Sequence, residues 1–233
     1  APSDLDLPDA ETLRARAAEG AGLTRTALSV LIGLAKLRAQ AARVVGEAGS
    51  QDTVDRLIAL LRANSPRVRF MAATALGKLR AKPAIGPLYQ LLADNDDRDP
   101  FLRHAGVFAL ESIGDRAAVT GRCEDPSRAV RMASLLVLRR WQHPAVSRFL
   151  ADSDMALVTE AARAIHDLRI TASLPELADL AQRMDAADNP QALYPDALIR
   201  RVINANFRLG GHDRAAAVAR LIAVGGISTT MHD

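Results

Sequence analysis

Leu34-Ala35-Lys36-Leu37-Arg38-Ala39 returns, 42 residues on, as Leu76-Gly77-Lys78-Leu79-Arg80-Ala81, and each copy closes an apolar helical pattern. Self-similarity at such a period signals stacked helix pairs, because one pair alone cannot bury its apolar faces. Working outward from the second copy, Val68, Met71, Ala72, Ala75, Leu76 and Leu79 fall at i, i+3, i+4, i+7, i+8 and i+11. That is one continuous stripe along a helix of 3.6 residues per turn.

The same offsets give Leu102, Ala105, Gly106, Ala109, Leu110 and Ile113, then Val130, Ala133, Ser134, Val137, Leu138 and Trp141. A fourth copy reads Leu157, Ala161, Ala164, Ile165 and Leu168, with Glu160 breaking the stripe. Small residues in the middle of each stripe let neighbouring helices approach closely. The helix starts repeat as well: Ser65-Pro66, Asp99-Pro100 and Asp125-Pro126 each offer a side-chain acceptor at N-cap and a proline in the first turn. An aliphatic-Arg pair follows two residues after Pro66 and Pro100 (Val68-Arg69, Leu102-Arg103) and four after Pro126 (Val130-Arg131).

The partner helices are expected over 54–62, 85–92, 116–122, 145–150 and 174–184, with the third and fourth limited to about two turns. An earlier pair, 11–19 with 24–40, would cap the N-terminus. Residues 188–195 read as a loop, followed by helices over 197–209, stopped by Gly210-Gly211, and 213–224, stopped by Gly225-Gly226. The expected fold is all-α, a right-handed α-α superhelix of five to six helix pairs forming one domain over 1–233. Its parts are capping helices over 1–50, core repeats over 51–170, C-terminal repeats and cap over 171–224, and a polar tail over 225–233.

Composition agrees. Aromatics make up only 3% of the chain against 49% hydrophobic residues, so the core must be Ala, Leu and Val. The charge balance of +3 names no partner, although all basic residues except Lys36, Lys78 and Lys82 are arginines, which suit ion pairs between packed helices. Cys123 stands alone, which excludes an intrachain disulfide and leaves the redox compartment open. The apolar run 27–35 is too short to span a bilayer. A start at Ala1 rather than Met is what a processed or excised piece of a longer chain would show.

The Pro-x-Val-Arg and Asp-Pro-x-Leu-Arg openings and the Ala-x-x-Ala-Leu-x-x-Leu stripe resemble the HEAT-repeat family, in particular its short bacterial members, over about 53–168. The resemblance implies a binding surface rather than a reaction. Three stretches carry a narrower likeness: 95–105 (Asn-Asp-Asp-Arg-Asp-Pro-Phe-Leu-Arg-His-Ala), 160–165 (Glu-Ala-Ala-Arg-Ala-Ile) and 203–209 (Ile-Asn-Ala-Asn-Phe-Arg-Leu). They are similar to the HEAT segment of large exported bacterial proteins, in which a sorbosone-dehydrogenase-like β-propeller precedes the repeats and a cytochrome c module follows. That likeness implies a middle module and an exported location. No haem-attachment Cys-x-x-Cys-His is present, so neither haem nor dehydrogenase chemistry is assigned to these residues.

No catalytic constellation, cofactor site or metal site is read from the spacing. The five histidines show no His-x-x-x-His or His-Glu pairing, and the Asp94–Asp99 loop lacks the glycine and regular alternation of a calcium loop. Arg69, Arg103 and Arg131 recur one repeat apart and are expected to form a ladder of contacts with Asp99 and Asp125. Tyr89, Phe101, Arg103, His104, Arg139 and Arg140 are the candidate lining of a groove for a protein partner. Against that stands nucleic-acid binding, for which Arg25, Arg38, Arg80, Arg139, Arg140, Arg163, Arg200 and Arg201 would have to form one basic groove. Arginines scattered among carboxylates would favour protein contact.

Overall fold

The computed structural model describes residues 54–185 and 194–224, together with positions 36, 37, 39, 40, 42 and 43. The expected helix over 11–19, most of that over 24–40, most of the loop at 188–195 and the tail lie outside the described residues. Among the described residues all regular structure is helical. The helices are α1 Val54–Leu60, α2 Pro66–Lys78, α3 Ile85–Asn95, α4 Pro100–Ile113, α5 Arg116–Thr120, α6 Arg128–Arg140, α7 Met155–Asp167, α8 Leu174–Asp185, α9 Asp196–Leu209 and α10 His212–Val224. Short 3-10 segments occur at Lys82–Ala84, Pro144–Ala151 and Thr171–Ser173.

A first helix (A) and a second helix (B) therefore alternate. The A elements are α1, α3, α5, the 3-10 segment Pro144–Ala151 and α8; the B helices are α2, α4, α6, α7 and α9. The chain forms two compact units, Ala1–Val137 and Leu138–Asp233. In the first, α4 packs against both its own partner α3 and the preceding B helix α2. In the second, α9 likewise packs against α8 and α7, while α10 lies on α8 and α9.

The stripes are the core. Val68, Ala72, Ala75, Leu76 and Leu79 are buried, as are Leu102, Ala105, Ala109, Leu110 and Ile113, and Leu157, Ala161, Ala164 and Ile165. Met71, Trp141 and Leu168 are half-buried. From the first LAKLRA copy, Ala39 packs with Ala63 and Val68. Small residues set the spacing in the first unit. A Cβ at Gly77 would stand 2.7 Å from the Ala109 Cα on α4, and one at Gly106 would meet the Leu92 side chain at 2.8 Å.

Three local features depart from expectation. The A element over 144–151 is a 3-10 helix rather than an α-helix. At a rise of about 2 Å per residue, its eight residues span about 16 Å, as does an eleven-residue α-helix such as α3. The short repeat thus recovers the length it lacks. Second, only Asp99 caps as expected, accepting from the Phe101 and Leu102 amides at 2.8 and 3.3 Å. Ser65 stands at N-cap without a side-chain bond. Before α6 the later aliphatic-Arg pair shifts the start by two residues. Ser127 then takes the cap position, accepting from the Val130 amide at 3.4 Å, while Asp125 accepts from the Ser127 amide at 2.9 Å. Third, B helices end in the left-handed region at equivalent positions, Arg80, Gly114, Gln142 and Arg169. Only one of the four is glycine. The amides of Ala81, His143 and Ile170 reach back to the carbonyls of Leu76, Leu138 and Ile165 at 2.9–3.1 Å. That is the closing bond of a Schellman turn.

Candidate functional site

The acidic loop after α3 is organised by its own side chains. Buried Asn95 donates to the Asp99 carbonyl at 2.9 Å and accepts from the Asp99 amide at 3.2 Å. Asp96 and Asp97 both adopt positive φ. Asp97 thereby accepts from Arg103 at 3.2 Å and from Arg128 at 2.8 Å. The expected Arg103–Asp99 rung is corrected: Asp99 is occupied at the start of α4, and Asp97 holds the arginine. Arg131 donates to the carbonyls of Asp125 and Pro126. The Asp125 carboxylate takes Arg122 at 2.9 Å, and the half-buried Arg69 has an Nε with no hydrogen-bond partner among the described residues. Helix capping competes with such a ladder for its carboxylates: Asp99 accepts from the first amides of α4, and Asp125 from the Ser127 amide as well as Arg122.

The proposed groove residues separate. Tyr89 is not a groove residue: it is 3% exposed, with its hydroxyl 3.3 Å from the Ser134 Oγ and the Arg122 guanidinium 5.3 Å from its ring centroid. Burial pushes the phenol up to about 12, against the lowering effect of Ser134 and Arg122. Phe101 is 73% exposed and His104 is exposed beside it, while Arg103 is turned toward Asp97. In the second unit, Arg139 and Arg163 share the carboxylate of Glu160, the residue that breaks the fourth stripe. Arg140 is exposed.

Arginines are interleaved with acids throughout the described residues. Arg201 donates to Asp167 at 2.9 Å, and the His166 Nδ1 lies 2.8 Å from the same carboxylate. Partial burial pushes the Asp167 carboxyl up, but the Arg201 and His166 contacts outweigh it and hold it below its ordinary value. Arg214 is paired with Asp179. Of the eight arginines that a nucleic-acid groove would need, Arg139, Arg163 and Arg201 are neutralised in this way. Arg80 and Arg200 are exposed, and Arg25 and Arg38 lie outside the described residues.

One concavity lies where no candidate was placed. Ile203, Asn204, Asn206 and Phe207 of α9, the Gly210-Gly211 turn, and Arg214, Ala215, Val218 and Ala219 of α10 line an open groove of about 700 Å³, and its surface is mainly apolar. Phe207 is 85% exposed and Leu209 40%. The groove was legible in principle. Leu198, Val202, Ala205, Asn206 and Leu209 continue the stripe at i, i+4, i+7, i+8 and i+11, with Asn206 where Leu76, Leu110, Leu138 and Ile165 stand. The residues at i+5 in the four earlier stripes, Ala73, Val107, Leu135 and Ala162, are all buried; Ile203 is only half-buried. Buried Asn206 donates to the carbonyls of Ala178 and Val202, both at 2.9 Å. Its Oδ1 has no hydrogen-bond partner among the described residues.

Alternating A and B helices of this kind are helical-repeat architecture, which by itself names no activity. Residues 26–111 match the family model for HEAT repeats, and the all-α, HEAT-like solenoid is the fold class of the chain. Comparison with curated proteins finds no match. No described helix is long and apolar enough to cross a membrane. HEAT repeats commonly serve as protein-interaction scaffolds.

Proposed function

We propose that the chain is a non-catalytic protein-interaction scaffold. The observation that carries this reading is the α9–α10 groove, where Phe207 stands 85% exposed among apolar neighbours. Exposed aromatic and aliphatic side chains clustered around a concavity mark a protein contact surface. The ion-paired arginines support the same reading over nucleic-acid binding, because a guanidinium already neutralised by Glu160, Asp167 or Asp179 contributes little to phosphate attraction.

The finer form of the proposal follows the narrower sequence likeness: the scaffold is the middle spacer of a larger exported redox protein and holds a propeller and a cytochrome module on its surfaces. An antibody to this segment, used on fractionated native cells with a haem stain on the same gel, tests it. A large, exported, haem-positive band supports the spacer role. A cytoplasmic, haem-free band near 24.9 kDa refutes it. For the scaffold itself, native sizing of the untreated extract should place the segment in a protein assembly. Recovery in a nuclease-sensitive, salt-labile complex instead would turn the assignment to nucleic acid.

A further inference from the structure

The described arginines of the second unit are occupied, with one exception. Acids hold Arg139, Arg163, Arg201 and Arg214, carbonyls hold Arg183 and Arg208, and the rest but one have partners too. Arg169 has no hydrogen bond or ion pair among the described residues. It stands at a φ of 55°, in the place where Gly114 closes α4 without strain. A long cation at a position that suits glycine is strained, and here it gains nothing from within the described fold.

Arg169 faces a pocket. Ile165, Arg169, Thr171, Leu174 and Arg208 line a cavity of about 340 Å³, where α7 and α9 end and the 3-10 turn before α8 begins. Ile165 and Leu174 are buried and form its floor, while Arg169, Thr171 and Arg208 are exposed at its rim. Arg208 is anchored by one N–H on the His166 carbonyl at 3.1 Å, which leaves the rest of its fork open. None of the lining residues is acidic. In the first unit Arg80 has the place of Arg169, but the counterpart of Arg208 on the next B helix is Ser112, at i+10 of the α4 stripe.

We propose that this pocket takes the carboxylate of an acidic side chain from a protein partner. Arg169 and Arg208 serve its two oxygens beside the Thr171 hydroxyl, and its methylene stem lies on Ile165 and Leu174. Guanidinium forks match a planar carboxylate in shape as well as charge. The helix ends choose among anions. α7 and α9 bring their C-termini to the pocket, and the partial negative charge there opposes a second charge on the ligand. A singly charged carboxylate therefore fits better than a phosphate, and the apolar floor calls for methylenes that an inorganic anion lacks. This inference rests on the scaffold reading and adds a charged contact to it.

The test is a chemical-shift titration of the arginine Nε–H signals of the isotope-labelled full chain with the blocked peptide acetyl-Ala-Leu-Glu-Leu-Ala-amide. Saturable shifts of the Arg169 and Arg208 signals are expected, and the same peptide with Gln for Glu should bind at least ten-fold more weakly. Arg169→Gly and Arg208→Gln should each weaken binding at least ten-fold, while Arg80→Gly should leave it within two-fold. Misfolding does not confound Arg169→Gly, because glycine suits that φ better and Tm should equal or exceed the parent's. No saturation, equal binding of the Gln peptide, or undiminished binding by Arg169→Gly overturns the proposal. Inorganic phosphate or free glutarate bound more tightly than the peptide would put a small anion in the pocket and overturn it too. A failed titration alongside a native protein assembly removes this pocket and leaves the scaffold reading standing.

Discussion

Replacing Gly77 by alanine should destabilise the first unit even though alanine is the better helix former. The added Cβ would lie 2.7 Å from the Ala109 Cα, 3.2 Å from its Cβ and 3.3 Å from the Phe108 ring. Carbon pairs rest at about 3.5–4.0 Å, so α2 and α4 must separate by roughly 1 Å along their contact. Overpacking of this kind costs about 1–3 kcal/mol, and alanine near a helix end returns no more than about 1 kcal/mol in propensity. The net loss is about 1–2 kcal/mol, which at about 2–4 °C per kcal/mol for a chain of this size lowers Tm by roughly 2–8 °C. The nearest atom is backbone, so Ala109→Gly should not rescue the variant. Gly86→Ala is the control. Nothing lies within 4 Å of its Cβ position, and its Tm should equal or slightly exceed that of the parent. Thermal and urea melts followed by circular dichroism at 222 nm decide the matter. A Gly77→Ala protein as stable as the parent, or full rescue by Ala109→Gly, would refute the close-approach argument.

Three further outcomes are expected. Arg80→Gly and Gln142→Gly, at positive φ of 49°, should each raise stability by about 0.5–1 kcal/mol in urea melts, since a left-handed residue with a Cβ is strained; a fall would mean the side chains carry contacts worth more than the strain. Asp99→Ala should cost about 1 kcal/mol by removing two amide bonds, whereas Ser65→Ala, at a cap position without a side-chain bond, should change stability by no more than a few tenths; equal losses would contradict the cap assignment. Tyr89 keeps its proton more tightly folded than unfolded, so its contribution is fully present below pH 10 and is lost as pH rises toward about 12. By linkage this removes about 2–3 kcal/mol across that window, and Tyr89→Phe should abolish that part of the alkaline fall; parallel curves for the two proteins would refute it.

The sequence by itself determined the repeat, and through it the fold. Helix stripes at 3.6-residue spacing, with Ala and Gly at their centres, can be satisfied only by stacking, and residues 68–79, 102–113 and 157–165 stack as their pattern requires. Cap chemistry was partly legible. Asp99 stands where proline and spacing put it, but the two-residue delay before Val130 handed the cap of α6 to Ser127. Which acid meets which arginine was decided only by tertiary structure: Asp97 reaches Arg103 and Arg128 because two successive left-handed residues turn the loop, and no local pattern announces that conformation at aspartate. Tyr89 reads as a polar aromatic in a sequence and is buried because Ser134, on a helix 45 residues away, completes its hydrogen bond. The groove is the same lesson reversed. Ile203 and Phe207 are apolar residues off the stripe of α9, and the packing around that helix, not the local pattern, leaves Ile203 half-buried and Phe207 exposed.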